Sequence, residues 1–325
     1  MSEKMHANTT QERKYYVGID LGGTFIKGGI VDDLGNILAQ DKTPTESEFG
    51  AGRVATNIAN LAKSLMEKLD LQADDIVGLG MGVPGMIDGK AGNVIYSNNL
   101  KWKDFKIGGE VSKLTGLQVK IANDANVAAL GEAKFGAAKG LEDVIMLTLG
   151  TGVGGGIVAG GRLIEGNKSA GAELGHMVIV AGGEQCTCGR KGCLEAYASA
   201  TALIRDTKRA MDAHKDSKMW EIGSLDKVTG KTSFDYKGSD PCAKAVVDNY
   251  IEHLGFGITN LANIFRPQVV LLGGGVCAQG KELTEPLQDL LDKEIFAGDL
   301  GPRVEIRIAE LENSAGILGA AALLM

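Results

Sequence analysis

Three blocks of sequence occur twice in the chain, in the same order, and this internal repeat limits the possible folds more than any other feature. VGIDLGGTFIKGGIV, from Val17, is similar to IMLTLGTGVGGGIV, from Ile145; each is an apolar strand, a Leu-Gly turn and a second strand. IVGLGMGV, from Ile76, is similar to VVLLGGGV, from Val269, and QVKIAND is similar to VEIRIAE. The spacing is far longer than the period of a solenoid. The sequence therefore predicts a duplicated α/β unit, built as two mixed-sheet domains with a central cleft.

Hydrophobic periodicity predicts the elements around these blocks. Residues 15–38 predict a strand meander with glycine-rich hairpins. Apolar residues at helical spacing predict helices over residues 52–69 and 242–264. Residues 86–103 and 214–240 show neither the helical nor the strand period, so we predict irregular structure for both segments.

The repeat also suggests where the domains divide. We predict a small α/β domain over residues 14–124 and a large α/β domain over residues 125–311, which would carry the cysteine-rich segment. The C-terminal sequence SAGILGAAALLM is shorter than the roughly 20 apolar residues that span a bilayer. We therefore predict that residues 312–325 contain a core helix that completes the small domain.

Composition excludes several classes of partner. The net charge is −7 over 325 residues, whereas a protein that follows nucleic-acid phosphates needs a basic surface, so we expect no nucleic-acid partner. Residues 1–14 lack the apolar core of a signal peptide and are predicted to be a frayed tail. Five cysteines give no disulfide framework. These features predict a cytoplasmic protein without a membrane partner.

A short segment carries four soft-metal ligands within the sequence GAELGHMVIVAGGEQCTCGRKGCLE. They are His176, Cys186, Cys188 and Cys193. Thiolates and imidazole in this number are typical of a closed tetrahedral zinc site, and a site with four protein ligands is structural rather than catalytic. The alternative is that these cysteines are free thiols and that the histidine is an ordinary core residue. Two carboxylates, Glu173 and Glu195, flank the segment, so a metal there would also fix their positions.

Two glycine-rich hairpin turns occupy equivalent places in the repeat, Asp20–Thr24 and Leu149–Gly152. Backbone N–H groups in such turns form anion-binding concavities, and the Thr24 and Thr151 hydroxyls add donors. Lys27 follows the first turn as a point charge for a phosphate. The alternative is that the glycines only permit tight hairpins. The matched pair favours a phosphate site, and the glycines after the later strand could let a nucleoside lie against the backbone.

Asp124 follows the predicted strand LQVKIA and precedes a helix. In open α/β sheets ligands gather at the carboxyl ends of strands, where a carboxylate can accept a proton from a substrate hydroxyl. The alternative is that Asp124 or Asn123 only caps the helix by accepting a backbone N–H bond. The spacing alone does not separate the two roles.

The assembled motifs are similar to those of the ROK family (repressors, open reading frames and kinases), and within it most similar to bacterial glucokinases. The similarity extends from Tyr16 to Met325 and is carried by DLGGTFIKGGIVD, GVPG, NLKW, IANDANVAALGE, LGTGVGGGIV, GAELGHM and CTCGRKGCLEAYAS. It implies the duplicated actin-like (ribonuclease H-like) ATPase fold. Repressors of this family carry an N-terminal helix-turn-helix, but only residues 1–14 precede the first predicted strand here, so we expect no DNA contact.

The resemblance also implies a role for particular residues. Asp124 matches the catalytic base, and Asp20 would lie near Mg²⁺. The implied sugar ligands are Asn99, Asn123, Asp124, Glu173, His176 and Glu195. The implied structural zinc ligands are His176, Cys186, Cys188 and Cys193. The implied ATP contacts are Asp20, Gly22, Gly23, Thr24, Lys27, Gly150, Thr151, Gly152, Gly273, Gly274 and Gly275.

These observations predict an enzyme that transfers phosphate from ATP to the 6-hydroxyl of glucose. Mannose, N-acetylmannosamine or N-acetylglucosamine as the substrate, and polyphosphate as the donor, stay open as alternatives. A sugar-sensing protein without activity is a further alternative, although it would need neither the base nor the phosphate turns. The family resemblance leads us to expect a homodimer.

Overall fold

The internal repeat corresponds to two five-stranded sheets with the same strand order. The computed structural model describes residues 13–325, so most of the predicted N-terminal tail lies outside the described residues. In chain order the strands are β1 (Tyr15–Leu21), β2 (Phe25–Asp32), β3 (Ile37–Pro44), β4 (Ile76–Val83), β5 (Met86–Asp88), β6 (Asn93–Ser97), β7 (Trp102–Phe105), β8 (Val119–Asn123), β9 (Val144–Leu149), β10 (Val153–Ala159), β11 (Arg162–Leu163), β12 (Val269–Gly273) and β13 (Glu305–Ile308).

The helices pack on both faces of these sheets. They are α1 (Ala51–Glu67), α2 (Ile107–Thr115), α3 (Asp124–Phe135), α4 (Glu195–Ala198), α5 (Ala200–Ala213), α6 (Thr232–Tyr236), α7 (Pro241–Phe265), α8 (Lys281–Glu294) and α9 (Ala315–Ala322). No helix among residues 13–325 combines the length and the apolar character needed to cross a membrane.

The two sheets have equivalent topologies, β3-β2-β1-β4-β8 and β11-β10-β9-β12-β13. In the first, β1 is antiparallel to β2 and parallel to β4. In the second, β9 is antiparallel to β10 and parallel to β12. The strands that the repeat equates therefore occupy equivalent positions, and the predicted actin-like α/β fold class is confirmed.

Each sheet is covered on both faces, which explains why its central strands are largely apolar; every residue of β12 is buried. On the first sheet, α1 and α2 pack over one face and α9 over the other. On the second sheet, α5, α7 and α8 cover one face, and α3 covers the other. The helices α3 and α9 also pack against each other, so this pair lies between the two sheets.

Glycines allow α9 to lie directly on the backbone of its neighbours. A Cβ atom at Gly18 in β1 would overlap the carbonyl oxygen of Ile317, and one at Gly319 would overlap the carbonyl oxygen of Val127 in α3. Seven of the eight residues of α9 are buried. The predicted C-terminal core helix is confirmed. Its first turn lies beside Asp20, because a Cβ atom at Gly316 would be 2.6 Å from the Asp20 Cγ.

Two segments predicted to be irregular are ordered. Residues 86–103 contain most of a three-stranded antiparallel sheet, β5-β6-β7, with Val94 and Trp102 buried. Strands of three to five residues are too short to show a period in the sequence. Residues 214–240 form short 3₁₀ turns and α6 around buried Met219 and Val228. Both predictions were wrong because isolated apolar residues in short elements give no periodic signal.

Candidate active site

Asp124 is the first residue of α3, directly after β8, and it faces the cleft. The helix is capped by Asn123, whose side-chain oxygen accepts hydrogen bonds from the backbone N–H groups of Ala125 (2.9 Å) and Asn126 (3.3 Å). The Asn123 amide donates to the Gly85 carbonyl at 3.1 Å. Asp124 accepts one bond, at Oδ1, from the same Ala125 N–H at 2.9 Å. Capping therefore does not require Asp124, and its Oδ2 is available for a substrate.

The surroundings of Asp124 favour its protonated form. The Asp124 side chain is exposed to solvent in the cleft, but protein atoms are packed densely around the rest of it. This burial raises the pKa of Asp124 above the ordinary aspartate value, while the Ala125 N–H bond opposes the rise. A base whose pKa is shifted towards the working pH transfers protons more efficiently.

A pocket of about 80 Å³ lies against Asp124. Of the predicted sugar ligands, it brings together Asn123, Asp124 and Glu173. Glu173 is exposed to this space, and its carboxylate forms no hydrogen bond within residues 13–325. The other three predicted sugar ligands, Asn99, His176 and Glu195, do not line the pocket.

Those three residues occupy different environments. Asn99 is exposed in the turn between β6 and β7. His176 ends a short 3₁₀ turn, Leu174–His176, and belongs to the cysteine cluster. Glu195 begins α4 and uses both carboxylate oxygens within the protein. The six predicted sugar ligands therefore do not form one closed pocket.

The first predicted phosphate turn connects β1 to β2. The Gly22 N–H donates to the Phe25 carbonyl at 3.0 Å, and the Thr45 hydroxyl donates to the Gly22 carbonyl at 2.7 Å. Gly23 and Thr24 are exposed at its tip. The turn is thus held from behind while its outer backbone groups face solvent.

Two charged side chains accompany this turn. The Lys27 Nζ lies 3.8 Å from Asp20 Oδ2 and donates to Asn313 Oδ1 at 3.2 Å. Burial raises the pKa of Asp20; Lys27 opposes this shift, and the negative charge of Asp124 adds to it. The charges of Asp20 and Asp124 therefore influence each other, although Asp20 lies in β1 and Asp124 is the first residue of α3.

The second predicted phosphate turn connects β9 to β10. The Gly150 N–H donates to the Gly152 carbonyl at 3.0 Å. The Thr201 hydroxyl donates to the Thr151 carbonyl at 2.8 Å. The Thr151 side chain is exposed. The N–H of Val153 donates to Glu195 Oε2 at 3.1 Å. The start of α5 and a partly buried carboxylate thus fix this turn.

The glycines after β12 lie beside the second turn, because Gly273 pairs with Thr148 of the parallel strand β9. Gly274 has φ = 94°, and a Cβ atom there would overlap the carbonyl oxygen of Leu149. A glycine is therefore required at that position. Gly275 faces open space. The structure brings the predicted nucleotide glycines 150–152 and 273–275 together at the carboxyl ends of β9 and β12.

The cysteine cluster is assembled as the spacing predicts. Its four ligand atoms, from His176, Cys186, Cys188 and Cys193, all lie within 4.8 Å of one another. The His176 Nδ1 is 3.6 Å from the Cys186 sulfur, and the Cys188 and Cys193 sulfurs are 3.7 Å apart. Burial raises the pKa of the Cys193 thiol to about 12, and a bound metal ion would oppose this shift by stabilising the thiolate.

Glu195 connects this cluster to the second phosphate turn. Its Oε1 accepts hydrogen bonds from the Thr187 hydroxyl at 2.7 Å and from the Cys186 thiol at 3.5 Å, while Oε2 binds the Val153 N–H. Sequence reasoning missed Thr187 as a partner, although its place between two cysteines of the motif was a usable signal. It also missed Asn313, for which the sequence offers no comparable signal.

Another cavity, of about 460 Å³, lies away from the cleft, between α5 and α7. Its charged side chains neutralise one another: Arg209 pairs with Glu184 and Arg205 pairs with Asp206. We therefore assign the chemistry to the cleft, where Asp20, Asp124 and Glu173 retain free carboxylate oxygens.

The fold and the cleft together define the class, an actin-like enzyme of the kind that transfers phosphate. Residues 16–325 match the model of the ROK family, and the chain belongs to that family. It is 38% identical to a glucokinase of Halalkalibacterium halodurans, over 94% of this chain and 93% of the relative. It is 37% identical to a glucokinase of Thermotoga maritima, over 95% of this chain and 96% of the relative.

A solved structure is also similar over most of the chain. It is a ROK family glucokinase from Streptomyces griseus in complex with glucose and AMPPNP. The TM-score is 0.77 and the sequences are 34% identical, over 95% of this chain and 98% of that one.

Proposed function

We propose that the chain is a glucokinase, which transfers the terminal phosphoryl group of ATP to the 6-hydroxyl of glucose. The observation that carries this proposal is the free Oδ2 of Asp124 above the sugar pocket, with Asn123 performing the capping. The similarity to glucokinases over nearly the whole chain supports the same activity.

In this mechanism Asp124 orients the sugar hydroxyl and accepts its proton as the oxygen attacks phosphorus. Phosphoryl transfer passes through a loose transition state, so the protein contributes mainly by positioning and by neutralising charge. The exposed backbone groups of the turns at Gly23 and Thr151, together with Lys27, would contact the phosphates. Mg²⁺ bound with ATP supplies further neutralisation, and Asp20 is the side chain that would hold it.

For the sugar, we propose recognition by carboxylates and amides around the pocket. Glu173 offers two free acceptors, and the Asn123 amide retains one N–H donor beyond its bond to Gly85. Glu195 and Asn99 would complete the set when the cleft closes. The nitrogen of His176 that faces Cys186 is Nδ1, so Nε2 is left for a sugar hydroxyl.

We further propose that the cysteine cluster binds one structural zinc ion. Bond lengths of about 2.3 Å to sulfur and about 2.05 Å to nitrogen give tetrahedral edges of about 3.8 Å between sulfurs and about 3.6 Å between sulfur and nitrogen. The Cys188–Cys193 and His176–Cys186 separations, 3.7 Å and 3.6 Å, fit these edges. Such a metal would hold Cys186 in place and, with it, the neighbouring Thr187, whose hydroxyl donates to the carboxylate of Glu195.

Two lobes would close on the substrates. We propose a small lobe of residues 14–124 with 312–325 and a large lobe of residues 125–311. Contact between the lobes is concentrated in α3 and α9. Closure would exclude water, which otherwise competes with the sugar hydroxyl for the phosphoryl group.

A coupled assay with glucose and Mg-ATP tests the activity directly, with ADP formation as the readout. The matched control is Asp124→Asn, which should bind glucose but turn over slowly. Replacing ATP with polyphosphate tests the donor. Glucose binding without turnover, in both the wild type and the variant, would indicate a sensor and would contradict the proposal.

A further inference from the structure

Glu132 is a fully buried carboxylate to which the mechanism above assigns no role. It lies on α3, which also carries Asp124, and its exposed fraction is 0%. No Lys, Arg or His within residues 13–325 forms an ion pair with it. A buried charge without a cation is costly unless hydrogen bonds satisfy it. Its position therefore requires a physical explanation.

Both oxygens of Glu132 accept hydrogen bonds from backbone N–H groups. Oε2 binds the Ala137 N–H at 2.9 Å, and Oε1 binds the Leu311 N–H at 2.7 Å. The loop after α3 encloses the carboxylate so closely that a Cβ atom at Gly136 would overlap Oε2. The carboxylate thus joins the end of α3 to a segment 179 residues away in sequence.

The segment that begins at Leu311 leads to the nucleotide side of the cleft. It continues through the 3₁₀ turn Glu312–Ser314, where Asn313 Oδ1 accepts the hydrogen bond from Lys27. It then enters α9, whose backbone at Gly316 lies against Asp20. Residues 311–316 therefore support both charged side chains of the first phosphate turn.

We propose that Glu132 is a positioning residue for phosphoryl transfer, which sets residues 311–316 so that Asn313 and the start of α9 hold Lys27 and Asp20 against the nucleotide. The inference rests on the proposed kinase function. Glu132 lies eight residues after Asp124, about 12 Å along the helix. Glu132 therefore couples α3, which begins with the proposed base Asp124, to residues 311–316, which contact Lys27.

Glu132→Gln tests this coupling with little change of shape. An amide NH₂ would face one of the two backbone N–H donors, so that one bond becomes a repulsion. We expect KM for Mg-ATP to rise about fivefold and kcat to fall about tenfold, since small displacements at the reacting groups are costly. KM for glucose should stay within about twofold of the wild type.

A matched control separates this effect from general destabilisation. Thr207→Val removes another buried hydrogen bond, from the Thr207 hydroxyl to the Leu203 carbonyl at 2.7 Å, within α5 and away from the first phosphate turn. It should lower the melting temperature and leave the ratio of the two KM values unchanged. A second variant, Asn313→Ala, changes an exposed residue and should fold normally. It should reproduce the nucleotide-selective defect.

A double-mutant cycle completes the test. If Glu132 acts through Asn313, Glu132→Gln should add less to KM for Mg-ATP in the Asn313→Ala background than alone. Calorimetric affinity for AMPPNP, with and without Mg²⁺, gives a readout independent of turnover. Wild-type kinetics for Asn313→Ala, or equal losses for glucose and ATP in Glu132→Gln, would overturn the proposal. Absence of glucose phosphorylation in the wild type would instead refute the proposed function.

Discussion

Asp124→Asn separates catalysis from folding more cleanly than any other substitution in this chain. The asparagine keeps the shape of the side chain, and its Oδ1 can still accept the Ala125 N–H bond. The residue that caps α3 is Asn123, which is unchanged in this variant. Its side-chain oxygen still accepts hydrogen bonds from the backbone N–H groups of Ala125 and Asn126. A lost cap typically costs about 1 kcal/mol, and this cost should not appear here.

The sign of the stability change follows from the pKa of Asp124, which burial raises. The folded state then binds the proton more tightly than the unfolded state. Ionised Asp124 therefore destabilises the fold at pH values above its folded pKa, and wild-type stability rises as the pH falls through that value. The neutral asparagine removes this penalty. We expect Asp124→Asn to melt no earlier than the wild type at neutral pH.

The catalytic change should be large by contrast. Removal of a general base costs about 10²- to 10⁴-fold in rate, which raises the barrier by about 2.7 to 5.4 kcal/mol. Steady-state kinetics should show this loss in kcat, with KM for glucose within about threefold of the wild type. Retention of half the wild-type kcat would show that Asp124 is only a second cap, and the mechanism would be wrong.

Three further predictions concern the pH profile, the metal and the nucleotide edge. The acid limb of the pH profile of kcat/KM should lie above the ordinary aspartate pKa, because burial raises the pKa of Asp124 and the base must be ionised. An acid limb at or below that value would contradict the assignment of Asp124 as the base. Cys188→Ser should lose one zinc per chain together with glucose affinity, whereas Cys242→Ser, outside the cluster, should keep both. A wild-type protein that is active without bound zinc would refute this prediction. Gly274→Ala should destabilise the protein by about 1–3 kcal/mol and raise KM for ATP, because φ is 94°. Gly275 faces open space, so Gly275→Ala should leave the stability unchanged.

The duplicated sheets could be predicted because their central strands, β1, β4, β9 and β12, are mostly apolar runs followed closely by glycine. Such runs are local, and their order repeats, so β4 and β12 could be equated before any pairing was known. The small sheet β5-β6-β7 could not, because its strands are shorter than one readable period. Local pattern thus predicted the large elements, and tertiary packing determined the small ones.

In the candidate site, too, local sequence patterns predicted some features, and the completed fold determined the others. The spacing of the cysteines was sufficient to predict their cluster, because all four ligands lie in one loop region. The sequence could not decide between Asn123 and Asp124 as the helix cap, since that depends on where each side chain points. It also could not reveal the bond between Glu132 and Leu311, because contacts at such separations depend on the completed fold.

The identity of the sugar is tested most directly by kcat/KM with saturating Mg-ATP for glucose, mannose, fructose, N-acetylglucosamine and N-acetylmannosamine. A site that binds a hydroxyl through buried polar groups rejects analogues that lack it, because the polar group is then left unpaired. The proposed ligands Glu173, His176 and Glu195 predict that glucose has the highest kcat/KM and that its C2 epimer mannose is weaker. An N-acetylated sugar ahead of glucose by about tenfold, or 1.4 kcal/mol, would contradict the glucokinase assignment.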